Sequence, residues 1–526
     1  MKMQSKKPIL KYHAASRQKG KTSLPVKYLL LGFSLVVLLA ILLLNLEEGT
    51  QNSTAPVTQP PTSLSTEETA TDKEIAQIEE GIKLETLKNI DKMSYKKTHL
   101  PIEHWTSPNG AQIYFMRVPE IPMVDVRLHF YAGSSRDGDI PGTAKLTNAM
   151  LGEGSKEHNV DEITAGFESL GAKFVVESVR DVAVAQLRSL TDPAYLNPAL
   201  DLFAEVIGKP SFPEDNFKRN INLMQVALKE QEQQPSVLIS NRFFSTLFKQ
   251  HPYQNPPQGT KESIEKINID IMKNFYDTYY VTQNLIMAIV GNITKSQAEE
   301  IARASTQFLK RGQKVTKLPP TLPTHADHIH IQFPSQQTHL FIGSLAIPNG
   351  HPDFIALSVG NEVLGGGGFN SILNQVIRQD RGLSYSVSST FAPMLSSGGF
   401  YINLQTKNAS AKEALQITLD ILRNFIEKGP SDAQLQKAKE NIIGGHALRT
   451  ATNTSIASNL GIIGFYELPI TYVDDFTEKV TQVTKEEIQK AFQNIIDMNR
   501  LVIVTLGPEA LNQSLGVTPE QDVKKE

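Results

Sequence analysis

No cysteine occurs in the 526 residues. That absence excludes a disulfide framework, a thiolate zinc site, an iron–sulfur cluster and a cysteine nucleophile. A strong net charge is missing too, since the formal balance is -3, but this value averages two unlike regions. Residues 1–27 carry eight Lys/Arg and no Asp/Glu, so the rest of the chain holds 44 basic against 55 acidic side chains, a balance of −11. An acidic body is poorly suited to a phosphate backbone, and nucleic acid is not an expected partner. The same charge hints at long-range attraction for basic peptides, although net charge does not locate that field. The cluster Gly365-Gly366-Gly367-Gly368 lacks a following Gly-Lys-Ser/Thr, so it is not a phosphate loop.

Hydrophobic residues make up 40% of the chain, enough to bury cores, and the length predicts three or four domains or two large ones. Tyr28 to Leu44 is an uncharged apolar run of 17 residues. As a helix it reaches roughly 26 Å, close to the hydrocarbon thickness of a bilayer. All eight flanking positive charges precede it and Glu47 and Glu48 follow it, so the positive-inside rule keeps residues 1–27 cytoplasmic and exports the remainder. The expectation is a single-pass anchor at 28–46 in a bacterial inner membrane, with a periplasmic ectodomain. A long cleaved signal is the alternative reading. Residues 47–91 open with a Ser/Thr/Pro/Gln-rich stretch too polar to bury a core, a flexible tether and arm. Residues 511–526 form a polar tail.

The body repeats itself at a spacing of about 213–216 residues. Leu146–Gly154 corresponds to Val359–Gly367, and each follows a β-rich run, Val124–Ala132 and Thr338–Ala346. Amphipathic helices at Asn197–Ile207 and Ala411–Ile426 come next. Turns at Pro213 and Pro430 then open second helices, and apolar strands at Asn284–Gly291 and Asn499–Gly507 close the halves. The reading is α+β, with two homologous domains at 92–312 and 327–510 joined by a Pro-rich linker at 313–326.

With Tyr131-Ala-Gly-Ser-Ser-Arg-Asp137, His251-Pro-Tyr253, Gly259-Thr260, Tyr279-Tyr-Val-Thr-Gln-Asn-Leu285 and Arg378–Tyr385, that layout resembles the insulinase/pitrilysin family of zinc peptidases. The resemblance covers roughly residues 92–510. It implies that each half folds as an α/β roll and that two such two-domain units face each other as a clamshell around a peptide chamber.

The family's catalytic motif is His-x-x-Glu-His on a helix. Positions i and i+4 share a helical face and ligate zinc, while i+3 sets a carboxylate beside the metal-bound water. Matched residue by residue, these positions are Lys145, Asn148 and Ala149. Lysine must lose a proton to ligate, alanine has no donor atom, and asparagine is no base. The family's third ligand, a Glu expected near residues 220–228, is also missing, because Asn216–Lys229 contains no acidic residue. Hydrolysis by the family's zinc mechanism is therefore not expected of this chain, which holds no metal or cofactor of its own under this reading.

In catalytic clamshells of the family the far half supplies an Arg and a Tyr seven residues apart that hold substrate, and Arg378 and Tyr385 match that pair. The non-catalytic subunit of the mitochondrial relative carries a glycine-rich loop where Gly365–Gly368 stand, which implies a chamber-lining role. A plain turn is the simpler reading. His328 and His330 would share one face of a strand beside His325, a weak metal site or, more simply, exposed strand histidines. Glu153 and Lys229–Glu232 read as solvated helix charges. Three functions follow. The first is a pseudoenzyme subunit that binds peptide and completes the site of a zinc-bearing homologous partner. The second is a membrane-tethered scaffold, and the third a peptidase with a relocated site.

Overall fold

The computed structural model describes residues 99–323 and 325–511. The basic stub at 1–27, the apolar run within 28–46, the whole tether and arm at 47–91 and all of the tail after Leu511 lie outside the described residues. Among the described residues, no helix is long and apolar enough to cross a membrane.

Two sheets carry the molecule. The first runs β1-β2-β6-β3-β5-β4, built from β1 (Glu103–Thr106), β2 (Gln112–Arg117), β3 (Met123–Phe130), β4 (Lys173–Ser178), β5 (Ala183–Leu190) and β6 (Leu285–Gly291). The second runs β7-β11-β8-β10-β9, from β7 (Asp327–Gln332), β8 (Gln337–Leu345), β9 (Ser384–Ala392), β10 (Gly399–Lys407) and β11 (Val502–Gly507). Without β1 the two orders are the same. In each, the last strand of the half pairs parallel with the first and antiparallel with the second. The internal repeat is thus a repeat of topology, in a mixed α/β fold of two domains.

In the first half the helices longer than a single turn are α1 (Thr143–Ala149), α2 (Val160–Ser169), α3 (Pro193–Gly208), α4 (Glu214–Gln231), α5 (Pro235–Leu247), α6 (Ile269–Tyr279) and α7 (Lys295–Thr306). The second half adds α8 (Phe354–Asn361), α9 (Ala411–Lys428), α10 (Asp432–His446), α11 (Asn453–Phe465), α12 (Tyr472–Gln482) and α13 (Lys485–Ile495). Strand β3 alternates apolar and polar residues and is buried on both faces: Val124, Val126, Leu128 and Phe130 enter a core shared with Phe203, Val206 and Met287. The second sheet does the same with Leu340, Ile342, Ile402 and Leu404 under α9 and α13.

The opposite faces are covered by exchange. Helix α5 of the first half lays Ile239, Phe243, Phe244 and Leu247 on Phe341, Tyr401, Val504 and Leu506 of the second sheet. Helix α11 of the second half lays Ile456, Ala457, Leu460 and Ile463 on Met116, Ala288 and Val290 of the first. Burying an aromatic such as Phe243 contributes about 2–3 kcal/mol. Each sheet therefore depends on the other half for one of its two layers.

Candidate functional site

The loop before α1 sets the helix. Asp137 accepts from the backbone N–H of Gly142 at 2.8 Å and of Ala144 at 2.7 Å, which satisfies two of the open donors of the first turn. Gly142 turns the chain with φ of 97°, a conformation that favours glycine. Burial pushes the Asp137 carboxyl up to about 7, against those two hydrogen bonds.

Along α1, Lys145 is half-buried, Ala149 exposed and Asn148 buried. The Asn148 amide donates to the Tyr280 hydroxyl at 3.2 Å and to the Val184 carbonyl at 3.4 Å, so its polar end is committed inside the fold. Burial lowers the Lys145 ammonium, with Glu177 acting in the opposite direction. Burial likewise raises Glu177, opposed by Arg127 and Lys145. At the motif's three positions this chain therefore offers a cation, a committed amide and a methyl group. These do not fit a zinc ion, and among the described residues no group of three or more His, Asp or Glu is placed to hold a metal.

Lys145 opens onto a cavity of about 840 Å³ between the two halves. The ends of α4 and the start of α5 form one wall, and the face of β8, β10 and β9 forms the other, contributing His339, Phe341, Asn403, Gln405 and Ser386. Arg180, on the turn between β4 and β5, also lines it. Its guanidinium lies 4.6 Å over the Phe244 ring and its Nε donates to the Tyr253 carbonyl at 3.3 Å. Burial pushes Arg180 down to about 10 despite Asp181 beside it. Burial also lowers His339, leaving a neutral imidazole in the wall at neutral pH.

The two halves are clamped beside this cavity. The Tyr253 hydroxyl donates to Asp181 Oδ1 at 2.6 Å, and the Leu395 N–H donates to Asp181 Oδ2 at 2.8 Å. The Ser396 N–H donates to the Tyr253 hydroxyl at 3.2 Å. His251 Nε2 donates to the Pro319 carbonyl at 2.9 Å while its Nδ1 accepts from the Tyr253 N–H at 3.1 Å, which fixes the ring tautomer. The His251-Pro-Tyr253 segment is thus an interdomain fastening. Neither Asp181 nor Arg180 was singled out by sequence reasoning. The available signal was an adjacent charged pair in the turn between two apolar strands.

Arg378 and Tyr385 are placed elsewhere. Tyr385 is 71% exposed on the outer edge strand β9, and Arg378 stacks its guanidinium 4.5 Å over Phe369, itself 65% exposed. Gly365–Gly368 leave α8 through a π-helical turn at Glu362–Gly366, closed by the Gly367 N–H donating to the Glu362 carbonyl at 2.9 Å. A Cβ on Gly365 would lie 2.6 Å from the Ser389 backbone nitrogen, so the turn packs on β9 only as glycine. The structure brings Arg378 beside the glycine turn through Phe369. Neither Arg378, Tyr385 nor the glycines line the cavity onto which Lys145 opens.

The strand histidines need a correction. His328 is only 5% exposed, not a surface residue, and both of its ring nitrogens lack a partner. His330, on the same face of β7, bonds Thr505 Oγ1 through Nδ1 at 2.9 Å, while His325 is exposed before the strand. Glu153 is not a free helix charge either, because it accepts from Asn216 Nδ2 at 3.0 Å and pairs with Arg219, tying down α4. Glu230 and Gln231, within the run read as solvated, stand in the cavity wall.

Residues 115–261 match the family described as insulinase (peptidase family M16), and residues 266–442 match the peptidase M16 inactive domain. The crystal structure of a peptidase M16 inactive domain from Pseudomonas fluorescens is 39% identical, with a TM-score of 0.76 over 78% of this chain and 98% of that one. The chain belongs to the M16 insulinase family. A Helicobacter pylori protein named a non-peptidase homolog is 26% identical, over 73% of this chain and 89% of its own length. A Bacillus subtilis relative named an uncharacterized zinc protease is 24% identical, over 68% and 87%. This M16 chain, with Lys145, Asn148 and Ala149 at the motif, is a non-catalytic member of the family.

Proposed function

We propose that this M16 chain is a membrane-anchored, non-catalytic subunit that binds peptide and completes the active site of a zinc-bearing homologous partner. The observation that carries the reading is the pairing of a lost zinc motif with a retained peptide-sized chamber. Lys145 stands where the first ligand would, yet its side chain opens onto a cavity of about 840 Å³. Relatives with and without peptidase names support either role for the fold, and the motif residues favour the non-catalytic one. Arg378 and Tyr385, outward-facing on the second half, are the groups offered to the partner's chamber. The uncharged run at 28–46 supplies the anchor, which places the folded body in the periplasm of a bacterial cell.

The test is co-purification of the full chain from membranes, followed by reconstitution with a zinc-bearing homologue. The chain alone cleaves no peptide, and the pair cleaves faster than the homologue alone. Arg378→Ala in this chain lowers the activity of the pair at least about tenfold, a loss typical of a positioned charged group. A homologue that is fully active alone and indifferent to Arg378→Ala overturns the partnership. An assembly without any peptidase indicates a scaffold instead.

A further inference from the structure

The acidic balance of the body points toward basic peptides, but the cavity is charged the other way. Its walls contain two cations, Lys145 and Arg180, against the single carboxylate of Glu230 at the exposed end of α4. No carboxylate lies within salt-bridge distance of either cation among the described residues, and Lys145 Nζ has no hydrogen-bond partner there. Glu177, which acts on Lys145 through space, is itself raised by burial and is not part of the lining. Asp181, next to Arg180, has both oxygens occupied by Tyr253 and by the Leu395 N–H. The remaining polar lining is neutral and rich in side-chain amides, including Gln231, Gln234, Asn241, Asn403 and Gln405. Asn403 has already accepted from the Ser388 hydroxyl at 2.7 Å, so its NH2 is the end left to a ligand. Lys145 has no acceptor and Arg180 uses only its Nε, on the Tyr253 carbonyl, so these half-buried cations favour an anion, which gives each a charge-assisted bond that water supplies poorly in such a cleft.

We propose that this cavity selects a peptide carboxylate, with the Lys145 ammonium holding the negative charge at the position where catalytic relatives hold a metal ion. Arg180 forms the second contact, and the amides of Asn403 and Gln405 flank it. The carboxylate is either an acidic side chain or a free C-terminus. The inference rests on the peptide-binding reading and adds the substrate class to it.

The test uses the full chain and fluorescence anisotropy of ten-residue peptides carrying an uncharged dye. Four probes are compared: an acidic peptide with amidated C-terminus, a neutral one with a free C-terminus, a neutral amidated one and a basic amidated one. The acidic or the free-ended probe binds at least about tenfold tighter than the neutral amidated one, and the difference shrinks in high salt. Whichever of the two wins identifies the source of the carboxylate. Lys145→Gln abolishes the preference without unfolding the chain, since its ammonium makes no hydrogen bond, and Lys145→Glu shifts the preference toward the basic probe. Equal binding of all four probes, or a preference indifferent to both variants, overturns the inference while leaving peptide binding intact. Binding of none of them overturns both.

Discussion

At the scale of single residues, the lost chemistry is visible in where each side chain has gone. Asn148 gives its amide to Tyr280 and Val184, so the former base position has become a packing bond. Lys145 and Ala149 still lie four residues apart, toward the outside of α1. Rebuilding the motif with Lys145→His, Asn148→Glu and Ala149→His is expected to give weak, chelator-sensitive zinc binding through two imidazoles. It gives no peptide hydrolysis, because α4 carries no acidic residue between Asn216 and Lys229. Metal analysis and a peptide cleavage assay check the two halves of that prediction. Tyr253→Phe removes one of the two donors to the buried Asp181 carboxylate and costs about 1–3 kcal/mol, read as a lower denaturation midpoint at unchanged slope. The motif substitutions were legible in the sequence because ligand chemistry is a matter of residue type and spacing. The fastening by Asp181, His251 and Tyr253 was not, because its members come from three separated segments and meet only in the folded chain.

Elements show a different balance. Every strand and helix named by the internal repeat is present, since alternation and helical period are local signals. The covering of the sheets was not legible. Asp125, Arg127 and His129 alternate with the apolar residues of β3, the pattern usual for a strand with one face in water, yet α11 lies on them. Asp125 pairs with Arg188 at 2.9 Å, and Arg127 donates to Ser458 at 2.7 Å across 331 residues of chain. No local pattern reports a cover that arrives so late. Gly461 allows the approach: a Cβ there would fall within 2.1 Å of the His129 ring. Gly461→Val is expected to force α11 off the first sheet and to destabilise the protein by about 2–3 kcal/mol or more. Differential scanning calorimetry measures the loss, and hydrogen exchange should locate it in β3 and β6.

For the molecule as a whole, acid is a weakness with an identifiable source. Burial pushes His129 down to about 3, with Arg127 adding to the effect, and burial with Arg449 pushes His446 down to about 4. Both imidazoles are neutral in the fold and take up protons near their ordinary value once unfolded. Their contribution is therefore complete above about pH 6.5 and is lost as the pH falls toward 3–4. For His129 the loss between pH 6.5 and 5 is about 2 kcal/mol. Asp181 and Glu362, raised by burial to about 6 and about 7, act in the opposite direction over a neighbouring range. The clean measurement is the difference in unfolding free energy between wild type and His129→Gln across pH 4.5–7.5. That difference should shrink as the pH falls and flatten above 6.5. The exchange of α5 and α11 has a last consequence, in time rather than in energy. A ribosome that has released the first half has delivered a sheet whose second cover, α11 from Asn453, is still about 160 residues beyond Gly291, with β3's buried charges open to water. Closing loops of that length is slow, and the unfinished sheet is exposed meanwhile. The duplicated halves thus cannot mature one after the other as beads on a string, and a truncation after β6 should yield an aggregating fragment rather than a working half.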